Sequence, residues 1–299
     1  MPASLADGFF DGKRALVCGP GYVGGAVVEA LLGRGAEVTV LARSEATGSR
    51  WQSRGCAAVV ADVAADDWHD RLTPAFDLVL FSVSSGGGGV AGYRHSYLAG
   101  MQSLSRWAQE HDSSAHLIYT GSTSVYAADG GVRVEEDAAL ELSEERAVVL
   151  STTEEAVRAW PGHWTVMRLA GIYGPSRHYL LDGLRAGHAT VPGRSDYHLN
   201  LAHRDDIVSA ILVAWSQPSY SAGETFNVAD DGAATKGDVV AHLASTLGRP
   251  VPDFTGVSAP GRRAYMPDRI ISNAKLKRVL GWRPRYASFR EGYAAILEA

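Results

Sequence analysis

Lysine is scarce in this chain of 299 residues: Lys13, Lys236, Lys275 and Lys277 are all it has. No lysine stands between residues 14 and 235, so chemistry there that needs an amine must do without one. Cysteine is rarer. Cys18 and Cys56 sit on different elements with no metal-ligand spacing, which reads them as reduced packing residues and excludes a disulfide framework. No apolar run approaches the eighteen or so residues of a membrane span, and no secretory pattern opens the chain. A cytoplasmic protein with no membrane partner is expected. Formal net charge is −5 with no basic cluster, so a nucleic-acid partner has no electrostatic footprint. No His/Cys/Asp/Glu group has metal spacing, no Gly-x-Ser-x-Gly elbow occurs, and no lysine follows a glycine loop as an ATPase requires. What is present, 46% hydrophobic and 20% charged residues, is a globular composition large enough for one core or a core plus a lobe.

The informative stretch is Arg14–Arg43. An apolar strand ends in Gly19-x-Gly21-x-x-Gly24, an amphipathic helix follows, and a second apolar strand closes a unit of about thirty residues. This predicts a dinucleotide site. Gly19 turns the chain off the strand, Gly21 clears space for a pyrophosphate, and Gly24 lets the helix lie close on the sheet. The first-turn amides, including those of Tyr22 and Val23, and the helix dipole then hold the phosphates.

The end of the second strand selects the cofactor. An acid there holds the ribose 2′-hydroxyl of NAD, whereas a 2′-phosphate needs a cation. The sequence reads Val40-Leu-Ala-Arg43-Ser44, with Arg50 and Arg54 further on. Arginine's planar fork matches two phosphate oxygens at once, and Ser44 can donate a hydrogen bond, so NADP(H) is expected over NAD(H). A solvated helix face is expected to account for one of the two later arginines.

Strands and helices continue to alternate. Ala57–Asp62, Phe76–Val83, His116–Thr120 and Trp164–Ala170 read as strands three to six, predicting an α/β fold: a doubly wound parallel sheet. Ligands bind beyond the carboxyl ends of such strands. That selects Asp62-Val63, Ser82-Val83-Ser84, Thr120-Gly121-Ser122 and Leu169-Ala170-Gly171. Gly86 to Gly89 follow the fourth strand where cofactor and substrate would meet, as a flexible loop or a moving lid.

Gly19–Gly24, Tyr119-Thr-Gly-Ser-Thr-Ser-Val-Tyr126, Arg168-Leu-Ala-Gly-Ile-Tyr-Gly-Pro175, His203-Arg-Asp-Asp206, Phe226-Asn-Val-Ala-Asp230 and the tail Ser272–Trp282 occur in that order. Together they resemble the extended and atypical short-chain dehydrogenase/reductases, the NAD(P)-dependent epimerase/dehydratase group, over nearly the whole chain. The resemblance implies that Asp62 binds the adenine amino group. It also implies that the Gly171–Pro175 loop, with Ile172, passes the nicotinamide and leads into a small C-terminal substrate lobe. The expected division is a Rossmann domain over 1–172, with 201–228 returning to it, and a lobe of 173–200 and 229–299.

That group exchanges a proton through a tyrosine and a lysine four residues later, the lysine and cofactor lowering the phenol's pKa. Counting back from Glu154, which resembles the glutamate after that motif, the tyrosine place holds Arg146 and the lysine place Leu150. Both groups are missing. Ser122 occupies the place of the active-site hydroxyl, and Tyr126 is the tyrosine that follows it. Either another side chain supplies the proton, with Tyr126, Tyr173, Tyr179, His95, His178 and Arg146 on suitable loops, or the protein binds NADP(H) without chemistry, as a sensor or scaffold. The enzyme reading leads, because Ser122 and the lobe landmarks persist. The arginine that clamps a sugar-nucleotide diphosphate is absent from Tyr197-His-Leu-Asn200, so a small acidic or aromatic metabolite is expected rather than a nucleotide sugar. Arg177, Arg185, Arg194, Arg262, Arg263 and Arg269 are candidate anion ligands in the lobe, against the alternative of solvated charge. Glu135, Glu136 and the run Glu141–Arg146 read as surface charge. A homodimer stands open as an assembly.

Overall fold

A computed structural model describes residues 8–73, 75–259, 263 and 265–298. Its centre is a seven-stranded parallel sheet: β1 (Arg14–Cys18), β2 (Glu37–Ala42), β3 (Ala57–Val60), β4 (Leu78–Phe81), β5 (His116–Ser122), β6 (Trp164–Leu169) and β7 (Glu224–Val228). The spatial order is β7-β6-β5-β4-β1-β2-β3, so the order reverses beside β1 and opens a crevice at the carboxyl edge there. β1, β4 and β5 are buried on both faces, which explains the apolar stretches Ala15–Cys18, Leu78–Phe81 and Leu117–Tyr119 at their centres.

Helices cover both faces. On one lie α1 (Tyr22–Leu32) and α6 (Arg204–Ser216), with Val27, Leu31, Ile207, Ile211 and Trp215 in a single cluster; Ile271, Leu276, Leu280 and Trp282 of the C-terminal tail join it. On the other lies α3 (Gly100–Glu110), whose Met101, Leu104 and Trp107 pack with Trp68, Phe81 and Tyr119. Three further helices are α2 (Glu45–Gln52), α4 (Glu145–Arg158) and α5 (Tyr179–Arg185). A third cluster unites Tyr173, Leu181, Leu184 and Val191 with α7 (Lys236–Thr246) and Phe289 and Tyr293 of α8 (Phe289–Glu298). The tail stretch 271–282 thus packs beneath the sheet, not in that third cluster.

Several boundaries differ from the sequence reading. The third strand stops at Val60 and the fourth spans only Leu78–Phe81, whereas the fifth runs on to Ser122. Asp62 explains the first: its Oδ1 accepts the N–H of Ala64 and turns the chain. A π-helical stretch, Arg94–Ala99, leads into α3, and three short parallel pairs (Gly171–Tyr173 with Leu201–His203, Thr190–Val191 with Asp253–Phe254, Val132–Val134 with Arg269–Ile271) stitch the C-terminal segments together. None of these has a local sequence signal. Cys18 and Cys56 are buried and unbridged, and burial raises both thiols above their ordinary range. Among the described residues no helix is long and apolar enough to cross a membrane.

Candidate functional site

A cleft of about 650 Å³ opens where β1, β2 and β4 end. The glycine loop forms its floor. Gly19 has φ +84°, and a Cβ there would lie 2.7 Å from the Ser82 carbonyl oxygen; a Cβ on Gly24 would lie 2.3 Å from that of Gly19. Gly21 differs: nothing lies within 4 Å of its Cβ direction, and the residue lines the cleft, so the open space belongs to whatever binds there. With α1 beginning at Tyr22, the arrangement fits a dinucleotide pyrophosphate.

One end of the cleft is cationic. Arg43, Arg50 and Arg54 all line it, the last two stacked on the Trp51 ring at 5.0 and 5.6 Å. Trp51 is buried, donates its indole N–H to the Pro20 carbonyl, and so ties α2 to the glycine loop. Arg54 pairs with Glu29 and Arg50 reaches the Pro20 carbonyl, so each has a structural partner as well. Asp62, Val63, Ser82, Val83 and Ser84 line the cleft as the strand-end rule expects. The carboxylate of Asp62 is hydrogen-bonded to His95, 2.7 Å away on the π-helical stretch. Hydrogen bonds from Ala64 and His95 outweigh desolvation, the largest influence, and hold its carboxyl below the usual range. Tyr22 lines the cleft too, donates to the Pro175 carbonyl, and lies under the guanidinium groups of Arg177 and Arg204.

A second cavity of about 500 Å³ begins at Ser85, next to the Ser82–Ser84 wall of the first. Ser122 is on its wall. Its Oγ accepts from both the N–H and the hydroxyl of Ser124, which leaves its own proton to donate. Three arginines face the same space: Arg146 from α4, and Arg263 and Arg269 from the C-terminal segment. Arg263 pairs with Glu144; buried Arg269 donates to the Tyr126 and Ala128 carbonyls. Burial, reinforced by Arg263, pushes Arg269 down to about 10, still charged at neutral pH.

The structure redistributes several expected roles. Tyr126 is turned away from both cavities: it is 1% exposed, donates its hydroxyl to Asn227 Oδ1 at 2.7 Å and lies under the Arg168 guanidinium, so it cannot serve a substrate. Ser44 caps α2, accepting from Thr47 N–H and donating to Thr47 Oγ1, and it is Thr47 that lines the cleft. Thr120 and Gly121 lie behind the wall, the Thr120 hydroxyl donating to Ser82 Oγ. Val23 and Gly24 are buried in α1, Leu169 faces the second cavity, and Ile172, half-buried, lines neither. Tyr173 is buried against His203 and Tyr293, Tyr179 is exposed, and His178 lies against Asp182. Glu136 is no surface charge: it accepts the Asn227 N–H, and burial raises its carboxyl. Nor are Glu144, which caps α4 by accepting from Ala147 N–H, and Arg146. Glu154 is a buried partner of Arg168, at 2.7 and 2.8 Å. Of the lobe arginines, Arg194 pairs with Asp196, Arg185 is exposed, and Arg262 lies outside the described residues.

A parallel sheet that changes winding direction beside a glycine-rich strand–helix turn, with a second cavity against it, defines a Rossmann-type dinucleotide-binding protein. The model of the NAD dependent epimerase/dehydratase family matches residues 15–229, and the chain belongs to that family. No curated protein matches it. Among solved structures, UDP-glucose 4-epimerase from Thermotoga maritima, with UDP-glucose, is similar at 19% identity and TM-score 0.79, over 95% of this chain and 97% of that one. The dTDP-glucose 4,6-dehydratase of Bacillus anthracis, in complex with NAD, is similar at 18% identity and TM-score 0.80, over 96% of each chain. A functionally unknown conserved protein from Silicibacter pomeroyi shares 23% identity at TM-score 0.79, over 96% and 98%. At these identities the likeness shows the fold.

Proposed function

We propose that this protein is an NADP(H)-dependent oxidoreductase or epimerase/dehydratase that acts on a small anionic metabolite without the usual Tyr–Lys pair. The observation that carries this reading is the adjacency of two cavities at the sheet's carboxyl edge, one ending in Arg43, Arg50 and Arg54 and the other holding Ser122 among three arginines. The bound nicotinamide would supply hydride chemistry. The chain's own residues bind and orient: α1 amides take the pyrophosphate, Asp62 the adenine amino group, and Arg43 the 2′-phosphate. In the second cavity Arg146, Arg263 and Arg269 would hold a carboxylate or phosphate, while the Ser122 hydroxyl donates to the substrate oxygen that gains charge. Donors of that kind contribute ~10²–10³ in rate. A nucleotide sugar is disfavoured because Tyr197–Asn200 supplies no cationic clamp.

A second reading, an NADP(H)-binding sensor without turnover, draws on one observation: Leu150, in the lysine's place, is buried in the apolar core. Ser122→Ala separates the two. In an enzyme it loses turnover and keeps NADP(H) affinity; full activity in that variant would mean that the hydroxyl is only structural. A broad panel of small hydroxy and oxo acids that never changes the absorbance of bound cofactor favours the sensor.

A further inference from the structure

Neither residue in the places of the Tyr–Lys pair is the phenol or amine of that couple: one is the guanidinium of Arg146 and the other the apolar Leu150. The second cavity nonetheless holds a side chain suited to exchanging a proton. His198 is on its wall, 23% exposed, beside Tyr197 and Asn200. Its Nδ1 lies 2.7 Å from Asp268 Oδ1, and its backbone N–H donates to the same oxygen at 2.8 Å. Asp268 is fixed in turn: its own N–H donates to Asp129, and its carbonyl accepts the N–H of Gly131. The hydrogen bond from the His198 backbone, foremost, keeps the Asp268 carboxyl below the usual range, so it is an acceptor. An acceptor at Nδ1 selects the Nδ1–H tautomer and leaves Nε2 with its lone pair. Ser122 lines the same cavity, and a base oriented by a carboxylate is an arrangement that moves protons in many enzymes. The other charges around the ring are Asp238, whose carboxyl His198 helps to lower, Arg194 beside Asp268, and Arg263 and Arg269 across the cavity.

We propose that Nε2 of His198, oriented by Asp268, takes up and returns the substrate's hydroxyl proton, replacing the missing phenol–ammonium pair; this rests on the cofactor reading of the first cleft. In the oxidising direction a bound nicotinamide would supply the hydride acceptor, taking the hydrogen of the broken substrate C–H bond with its electron pair. The O–H proton passes to Nε2 and the C–O bond becomes C=O. The imidazolium then gives its proton to solvent, and reduction runs each transfer in reverse.

Diethyl pyrocarbonate acylates neutral, accessible imidazole nitrogens, and peptide mass spectrometry of the full-length protein reads each histidine separately. At pH 7 His198 should be modified in the free protein, and NADP⁺ with oxalate, a planar dianion, should slow that at least tenfold while exposed His188 is unaffected. Asp268→Asn should melt cooperatively yet lose most of this protection, because the ring is no longer held toward the cavity. A rate at His198 indifferent to both ligands would place it away from the reacting centre and overturn the proposal. So would an inert His198 alongside a reactive His188. Failure of NADP⁺ to bind, read by a separate titration, sinks the cofactor reading beneath the proposal and is thereby told apart from failure at His198.

Discussion

Replacing Arg43 by alanine tests the charge at the arginine-lined end of the first cleft, where the proposed 2′-phosphate would sit. Arg43, Arg50 and Arg54 are all solvent-exposed where they line it. Two unit charges 4 Å apart interact by about 4 kcal/mol at an effective dielectric of 20 and about 1 kcal/mol in water. Exposure puts these arginines near the lower figure. Arg54 is already paired with Glu29, and Arg50 is stacked on Trp51 and bonded to Pro20, so Arg43 should carry the largest share. Two effective cations at about 1 kcal/mol each give a preference for NADPH over NADH of ~30-fold, and Arg43→Ala should remove about fivefold of it. Trp51 makes the assay direct, since it lines the cleft and its fluorescence should be quenched by either nucleotide. Raising salt from 0.1 M to 1 M shortens the screening length from about 10 Å to about 3 Å and should shrink the preference in the wild type. Equal affinities for the two nucleotides at low salt would refute the reasoning, as would an Arg43→Ala variant that weakens both alike.

Gly21→Ala should abolish cofactor binding with no change in melting temperature, because its Cβ meets only open cleft, whereas Gly24→Ala should lose both binding and stability, its Cβ pressing on the Gly19 carbonyl. Calorimetry with a nucleotide titration distinguishes the two variants. Glu154→Gln breaks a buried pair and leaves the Arg168 charge uncompensated, at a cost of about 3–5 kcal/mol in denaturant unfolding; an effect under 1 kcal/mol would show the pair to be dispensable. Burial raises Asp230 to about 8, so the folded protein keeps a proton that the unfolded chain has lost, and this carboxyl destabilises as pH climbs toward 8. Buried His116 and His203, held down to about 4, gain stability with pH only up to the ordinary histidine range near 6.5. Above that Asp230 acts against no such gain: the melting temperature should fall between pH 6.5 and 8, and Asp230→Asn should flatten the slope.

The fold was legible because its signals are local. Each of β1, β4 and β5 contains a short apolar stretch that must be covered on both faces, and the glycines of the first turn announce the crevice that the strand order later creates. The cleft residues at strand ends followed from the same rule, and Arg43 was visible as a cation where an acid usually stands. Ser44 misled because the position that offers a donor to a phosphate is also the N-cap of α2, and the helix took the hydroxyl.

The second cavity was illegible for a different reason: its chemistry is assembled across long sequence separations. Tyr126 follows Ser122 by four residues, and nothing local says that its phenol will be drawn to Asn227, 101 residues away. Arg269 reaches the same corner from 143 residues off, donating to the Tyr126 carbonyl. His198 and Asp268 are 70 residues apart and meet because Val132–Val134 pairs with Arg269–Ile271 while Asn200 bridges that strand through Ile271 N–H and the Arg269 carbonyl. Each contact is a hydrogen bond between segments with no shared periodicity, so a pattern read along one strand or helix cannot contain it. Side chains that line the second cavity come from where such segments cross, which is why thirty consecutive residues name the glycine-loop crevice while the groups proposed to handle the proton emerge only in the tertiary structure.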